Sequence, residues 1–281
     1  MVDTLPTRHT GPASNARRSV PDVPGTAPAA ARRSRRHGAL PPLVSVLLAL
    51  TAWYAVSYLV LSEDRRFLLP PPHRVLTHSL LDPLTLGTML RALAVTAQVA
   101  LLGLFLAAVL GVAAAVLMSQ SRAIERVVYP YAVVLQVVPV LAIVPLIGLW
   151  FGYGLPARTI VCVLIAFFPV VSMTLFGLQS VDRDLHDLFT LGRAGRWRRL
   201  LSLQLPAALP SVITSLRTAA GLSVTGAVIG DMFFAQGQAG IGTLLDTYRA
   251  RLQSEDLIAA ILLAALLGVA VFSVFTVVQR L

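Results

Sequence analysis

Five stretches of about 20 or more residues carry no charged side chain, at roughly 42–62, 92–118, 127–150, 159–181 and 257–279, and a sixth at 211–232 is interrupted only by Arg217 and bounded by Asp231. Each is long enough to cross a hydrocarbon layer about 30 Å thick, which takes about 20 helical residues. No water is available there to satisfy open strand edges, so the backbone has to bond within each segment as a helix. The spacing predicts an all-α membrane protein of six transmembrane helices. Arg217 is the weak point, because a guanidinium at the centre of a span costs about 2.5–3.5 kcal/mol on insertion scales. Its place near one end of the run lets it reach the headgroups.

Charge settles which side is which. Of the 281 residues, 56% are apolar and 13% charged, and the net charge of +10 comes from 23 basic residues, every one an arginine. These arginines sit in an N-terminal tail and in the segments between spans, which fits the positive-inside bias and argues against nucleic-acid binding. With the N-terminus inside, sixteen arginines fall on the inner side and seven outside; without the tail the split is 9 to 7. The tail and the long fourth loop therefore carry the expected topology, with both termini on the cytoplasmic side.

Residues 1–41 are rich in Pro, Ala, Ser and Arg and bury too little to offset chain entropy, so a disordered cytoplasmic tail is expected ahead of a six-helix transmembrane domain over 42–281. Ser34-Arg35-Arg36 hints at a twin-arginine export signal, but the apolar run after it is too long for one and five more follow. With no lysine the chain lacks a Walker A phosphate-binding lysine and a Schiff-base lysine. The single Cys162 lies in an apolar span and is expected to be a buried small hydrophobe. Histidines 9, 37, 73, 78 and 186 show no metal-ligand spacing.

Pro130, Pro139, Pro145 and Pro169 punctuate the spans, where kinks are tolerated. Gly111, Ala113, Ala114, Ala115, Ala219, Ala220 and Gly221 invite close helix packing. Gln98 and Gln136 lie mid-span and need polar partners: a second helix, the backbone or a solute. Asp231 near the outer end of the fifth run reads as a pathway group or an interfacial carboxylate, and Trp150 as an interface anchor. The segment 236–253 is expected outside, as a gate helix, a docking ledge or a helix packed on the bundle.

The loop at about 182–210 is the odd one. Asp184 and Asp187 suit a helix N-terminus, Leu185, Leu188, Phe189 and Leu191 make an apolar face, and Gly192 and Gly195 mark a turn. Trp197, Leu200, Leu201 and Leu203 form a second stripe amid Arg196, Arg198 and Arg199, and Pro206 and Pro210 are expected to end the helix before the next span. Two short helices of this kind fit a groove on a partner protein, or lie on anionic lipid.

This loop resembles the EAA loop of binding-protein-dependent ABC importer permeases, whose pattern is Glu-Ala-Ala, a Gly four residues after the last Ala, and a run ending in Leu-Pro. Anchored on Arg196-Trp197 and Leu205-Pro206, the acidic position falls on Asp187, the alanines on Leu188 and Phe189, and the glycine on Arg193, a departure flanked by Gly192 and Gly195. Leu69-Pro-Pro-Pro-His-Arg-Val75, Leu135-Gln-Val-Val-Pro139, Pro145–Gly154, Phe168-Pro169, Leu178–Asp182, Gly226–Asp231 and Gly240-Ile-Gly242 follow in order. The series resembles the nitrate/sulfonate/taurine-type branch, which includes importers of vitamin precursors. The resemblance implies a type I importer permease with a cytoplasmic coupling-helix loop. Its partners would be an ATPase dimer, a second permease subunit (homodimer or hetero-pair), an extracytoplasmic substrate-binding protein and membrane lipid. ATP and magnesium would be held by the ATPase, with no cofactor, metal or catalytic residue in this chain. ATPase coupling falls to Asp187, Leu188, Phe189, Gly192, Arg193, Gly195, Arg196, Trp197, Leu205 and Pro206. Gln98, Gln136 and Asp231 are the candidates for the solute pathway. A self-sufficient secondary carrier or channel is the alternative, but such proteins place acids or histidines inside their spans and this one is nearly free of them. An intramembrane enzyme lacks a visible nucleophile or base.

Overall fold

The computed structural model describes residues 40–279, with side chains from residue 43. The expected N-terminal tail up to residue 39, its arginines, and Arg280 lie outside the described residues. Among the described residues the chain is helical and has no strand. Helix α1 (Leu40–Ala55) continues through a wider turn to Val60, and a short α2 (Pro72–Val75) continues likewise to Leu80. Then come α3 (Pro83–Ser119), α4 (Arg122–Val137), α5 (Val140–Phe151) and α6 (Leu155–Gln179). Helices α7 (Arg183–Leu191), α8 (Arg196–Arg199), α9 (Leu205–Phe233), α10 (Ile241–Ala250) and α11 (Ser254–Val278) complete the order. Among the described residues five helices are long and apolar enough to span a membrane, and a sixth if the bent pair α4–α5 counts as one.

Three spans differ from expectation, each for a backbone reason. α3 begins nine residues early, because Asp82 caps it by accepting from the Thr85 amide at 3.0 Å and Pro83 fits the first turn. Its 37 residues run about 55 Å, longer than a hydrocarbon layer of about 30 Å is thick. The third span is broken: α4 and α5 meet at 101° across Val138-Pro139. Pro139 offers no amide to continue the ladder and drives Val138 to φ −64°, ψ 127°. The expected stop at Pro206 and Pro210 does not occur, and helix runs unbroken from Arg196 to Phe233. One wide turn, closed by the Leu205 amide on the Leu200 carbonyl, shifts the ladder just before Pro206, which then occupies a first-turn position of α9.

The core lies where α3, α6 and α9 pack together, with α11 against α9. Small side chains set this packing, since apolar surface alone does not pull helices together in lipid. Ala107, Ala166, Ala219 and Ala220 are fully buried in one layer. At Gly111 a Cβ would stand 2.8 Å from Val170 Cγ1. Cys162 is buried at the centre as expected, its Sγ 3.4 Å from the Ser223 carbonyl. Arg217 lies 4.3 Å over the Phe272 ring and reaches the Gln279 amide oxygen. The segment before α2 ties back to α1, with Trp53 Nε1 donating to the Pro70 carbonyl and Ser57 to that of Leu69.

Candidate functional site

The segment between α6 and α9 folds as a helical hairpin. Asp182 caps α7 through a side-chain oxygen 3.3 Å from the Asp184 amide. At the other end the Ala194 amide bonds the Phe189 carbonyl at 2.9 Å and the Arg193 amide bonds that of Thr190 at 3.0 Å. This paired closure requires the residue between to be left-handed, and Arg193 sits there at φ +49°. The position where the family resemblance expects glycine thus keeps the glycine conformation while carrying a bulky side chain, at a cost of about 1–2 kcal/mol. Gly195 then starts α8, and Arg199 donates to the Thr190 hydroxyl at 2.9 Å, tying the two arms together.

The hairpin has a buried root and a bare tip. Leu200 is buried with Met118, Leu178 and Ala208, and Leu205 packs on the same cluster. Beyond it Leu188, Leu191 and Trp197 are 61%, 84% and 72% exposed. Asp187, Gly192, Arg193, Gly195, Arg196 and Pro206 are exposed too, and Phe189 is half-buried. Leu188, Phe189, Gly192, Ala194, Arg198 and Ser202 line a groove of about 290 Å³ between the arms. The sequence candidates from Asp187 to Trp197 therefore come together on one protruding element. Leu205 and Pro206 belong to its root.

The candidates for the solute pathway separate. Gln98 and Gln136 are exposed on the single chain, and neither side chain hydrogen-bonds within the described residues. Of the partners open to them, neither a second helix nor the backbone is engaged among the described residues. Asp231 is corrected in the opposite sense: it is neither interfacial nor exposed, but fully buried. Its Oδ1 pairs with Arg158 Nη1 at 3.1 Å and its Oδ2 accepts from the Thr96 hydroxyl at 2.6 Å.

Arg158, counted among the outer loop arginines from sequence, is the residue that sequence reasoning missed. It is 2% exposed. Its Nε donates to the Phe234 carbonyl at 2.8 Å, Nη1 to that of Gln238 at 3.0 Å and Nη2 to that of Gln236 at 3.1 Å. One guanidinium thereby holds the whole turn after α9. Thr96 Oγ1 accepts from the Ile241 amide, which docks the start of α10, and a Cβ at Gly240 would overlap the Asp231 carboxylate. With Leu244, Leu245 and Tyr248 packed beside Val75, Met89 and Ala92, α10 is a helix fastened to the bundle. The signal in the sequence was a charge at the start of one apolar run and an opposite charge at the end of another, with Gly240-Ile-Gly242 behind it.

Comparison with known proteins places this arrangement. Residues 84–281 match the family model of the binding-protein-dependent transport system inner membrane component. The formylaminopyrimidine transport permease protein ThiX of Halalkalibacterium halodurans is 31% identical over 239 residues, 85% of this chain and 93% of that protein. A probable ABC transporter permease protein of Haemophilus influenzae is 35% identical over 229 residues, 80% of this chain and 89% of that protein. Among solved structures, an amino acid ABC transporter with histidines shares the fold at a TM-score of 0.58 and 16% identity, covering 72% of this chain and 97% of that one.

Proposed function

The chain belongs to the family of binding-protein-dependent transport system inner membrane components, the permease components of ABC importers, and from that premise we propose that its α7–α8 hairpin is the handle through which a separate ATPase drives it. The observation that carries this reading is the bare apolar tip on a rigid root. Leu188, Leu191 and Trp197 stand in solvent on an element closed at both ends by hydrogen bonds and continuous with α9. Exposed apolar groups at helical spacing on a short stiff element fit a groove in a partner protein. Because α8 runs into α9 without a break, a push on the hairpin is delivered along a helix that packs on α3, α6 and α11.

In this reading two permease subunits form the pathway, two ATPase subunits bind ATP and magnesium beneath them, and a substrate-binding protein delivers solute from outside. The hairpin faces the cytoplasm, as the arginine bias favours. The cargo is a small anion or small organic solute of the nitrate, sulfonate, taurine or vitamin-precursor kind, and the name of the ThiX relative favours the organic solute. Phe189→Ala and Trp197→Ala are expected to uncouple uptake from ATP hydrolysis in proteoliposomes holding permease, ATPase and binding protein. Wild-type uptake and substrate-stimulated hydrolysis in both variants would refute the coupling role.

A further inference from the structure

Behind the hairpin, at its root, lies a recess of about 820 Å³ between the ends of α3 and α6 and the start of α4, continuous through shared walls with a second of about 450 Å³. Five arginines line the two: Arg122, Arg126, Arg183, Arg196 and Arg199. His186 and Gln204 face both, and Glu125 is the one carboxylate in either wall. None of the five arginines has a carboxylate within 4.0 Å among the described residues, although Asp182, Asp184 and Asp187 stand on the same hairpin.

Arg199 is the most telling of them. Its Nη2 is used by Thr190, but its Nε is buried and meets no acceptor among the described residues. A buried N–H left open on a charged group is costly, and guanidinium groups gathered in a recess repel one another without a counter-charge. Arg122, Arg126, Arg183 and Arg196 are exposed and Arg199 is half-buried, yet all five line connected recesses, and one donor of Arg199 is withdrawn from water.

We propose that this recess binds a phosphate-type oxyanion, held in a bidentate manner by Arg199 and Arg122 with Arg183, Arg196 and His186 around it. The chemistry is that of a phosphate monoester or diester, supplied either by an anionic phospholipid headgroup or by a free phosphate-bearing solute. The recess has room for a phosphate group that carries a further substituent. Because Arg199 also bridges the hairpin arms, an anion seated there stiffens the joint between hairpin and spans.

The test uses the full-length permease in nanodiscs of neutral phosphatidylcholine, melted with and without inorganic phosphate at constant ionic strength, and in parallel in nanodiscs containing phosphatidylglycerol. Binding predicts a saturable rise in the melting temperature. A rise with phosphate in the neutral discs identifies a free anion, and a rise only with phosphatidylglycerol identifies a headgroup. In either case Arg122→Gln/Arg199→Gln weakens the effect at least about tenfold, as expected for loss of charge-assisted hydrogen bonds. Arg251→Gln, at the far end of α10, leaves it unchanged. Glu125→Gln removes the opposing charge and tightens binding, a gain that a misfolded protein would not show. No rise in either arm, or equal rises in wild type, double variant and Glu125→Gln, overturns the proposal.

Discussion

Removing the Arg158 guanidinium attacks the most heavily bonded side chain described. Both members of the Arg158–Asp231 pair are buried, with side-chain exposures of 3% and 0%. Arg158→Met keeps length and apolar bulk but strips the carboxylate of its counter-charge and the carbonyls of Phe234, Gln236 and Gln238 of their donors. Breaking a buried pair from one side costs about 3–5 kcal/mol, chiefly from the charge left behind. The three carbonyls do not add to this in full, because the freed turn is able to swing towards water. Asp231→Asn is milder, about 1–3 kcal/mol, since the amide still accepts from Arg158 and still meets Thr96. Combining the two removes the charge imbalance, so the double variant should be more stable than the sum of the single losses by about 1–3 kcal/mol. Equilibrium unfolding in mixed detergent micelles reads all three. A loss below about 1 kcal/mol for Arg158→Met, or additivity within about 0.5 kcal/mol, would show that the pair does not act as the clamp on the turn after α9.

Two further outcomes follow from the helix ends. Arg193→Gly relieves the φ +49° strain at the hairpin turn, and by about 1 kcal/mol it should slow hydrogen exchange at the Ala194 amide roughly fivefold; faster exchange would mean that the arginine side chain stabilises the turn. The hydrogen bonds from the Thr85 hydroxyl and amide hold the Asp82 carboxyl below its ordinary range, so this cap contributes above that range and is lost as the pH falls through the lowered value; exchange at Thr85 should stay slow at pH 5 and rise only in stronger acid, and a rise already at pH 5 would contradict it.

The spans were legible because lipid admits only helices and closed barrels, and charge-free runs of about 20 residues fit the helix. The hairpin was legible for a different reason. Its caps, glycines and apolar stripes are local, and each acts within a few residues of where it is written. What failed were judgements about prolines. Pro139 and Pro206 look alike in sequence, yet one breaks a span by 101° and the other lies inside continuous helix. The difference is made by the residues before them. Val138 turns extended with nothing to absorb the lost bond, whereas Leu200–Gln204 widens by one residue and shifts the ladder ahead of the ring.

Charges in the spans were misread for a related reason. Positive-inside counting treats every arginine as a surface group, and Arg158 lies just where a loop arginine would. Its partner is 73 residues away in sequence, so no local pattern brings the two together. The same counting hides the root of the hairpin, where Arg122 and Arg199 belong to different loops and look like unrelated topology signals. In both places the side chains acquire meaning only after α3, α6 and α9 have packed. At the end where α9 stops, Arg158 finds a carboxylate inside the chain and locks a turn. At the hairpin end the arginines find none within 4.0 Å among the described residues, and the proposed oxyanion would supply the opposite charge there.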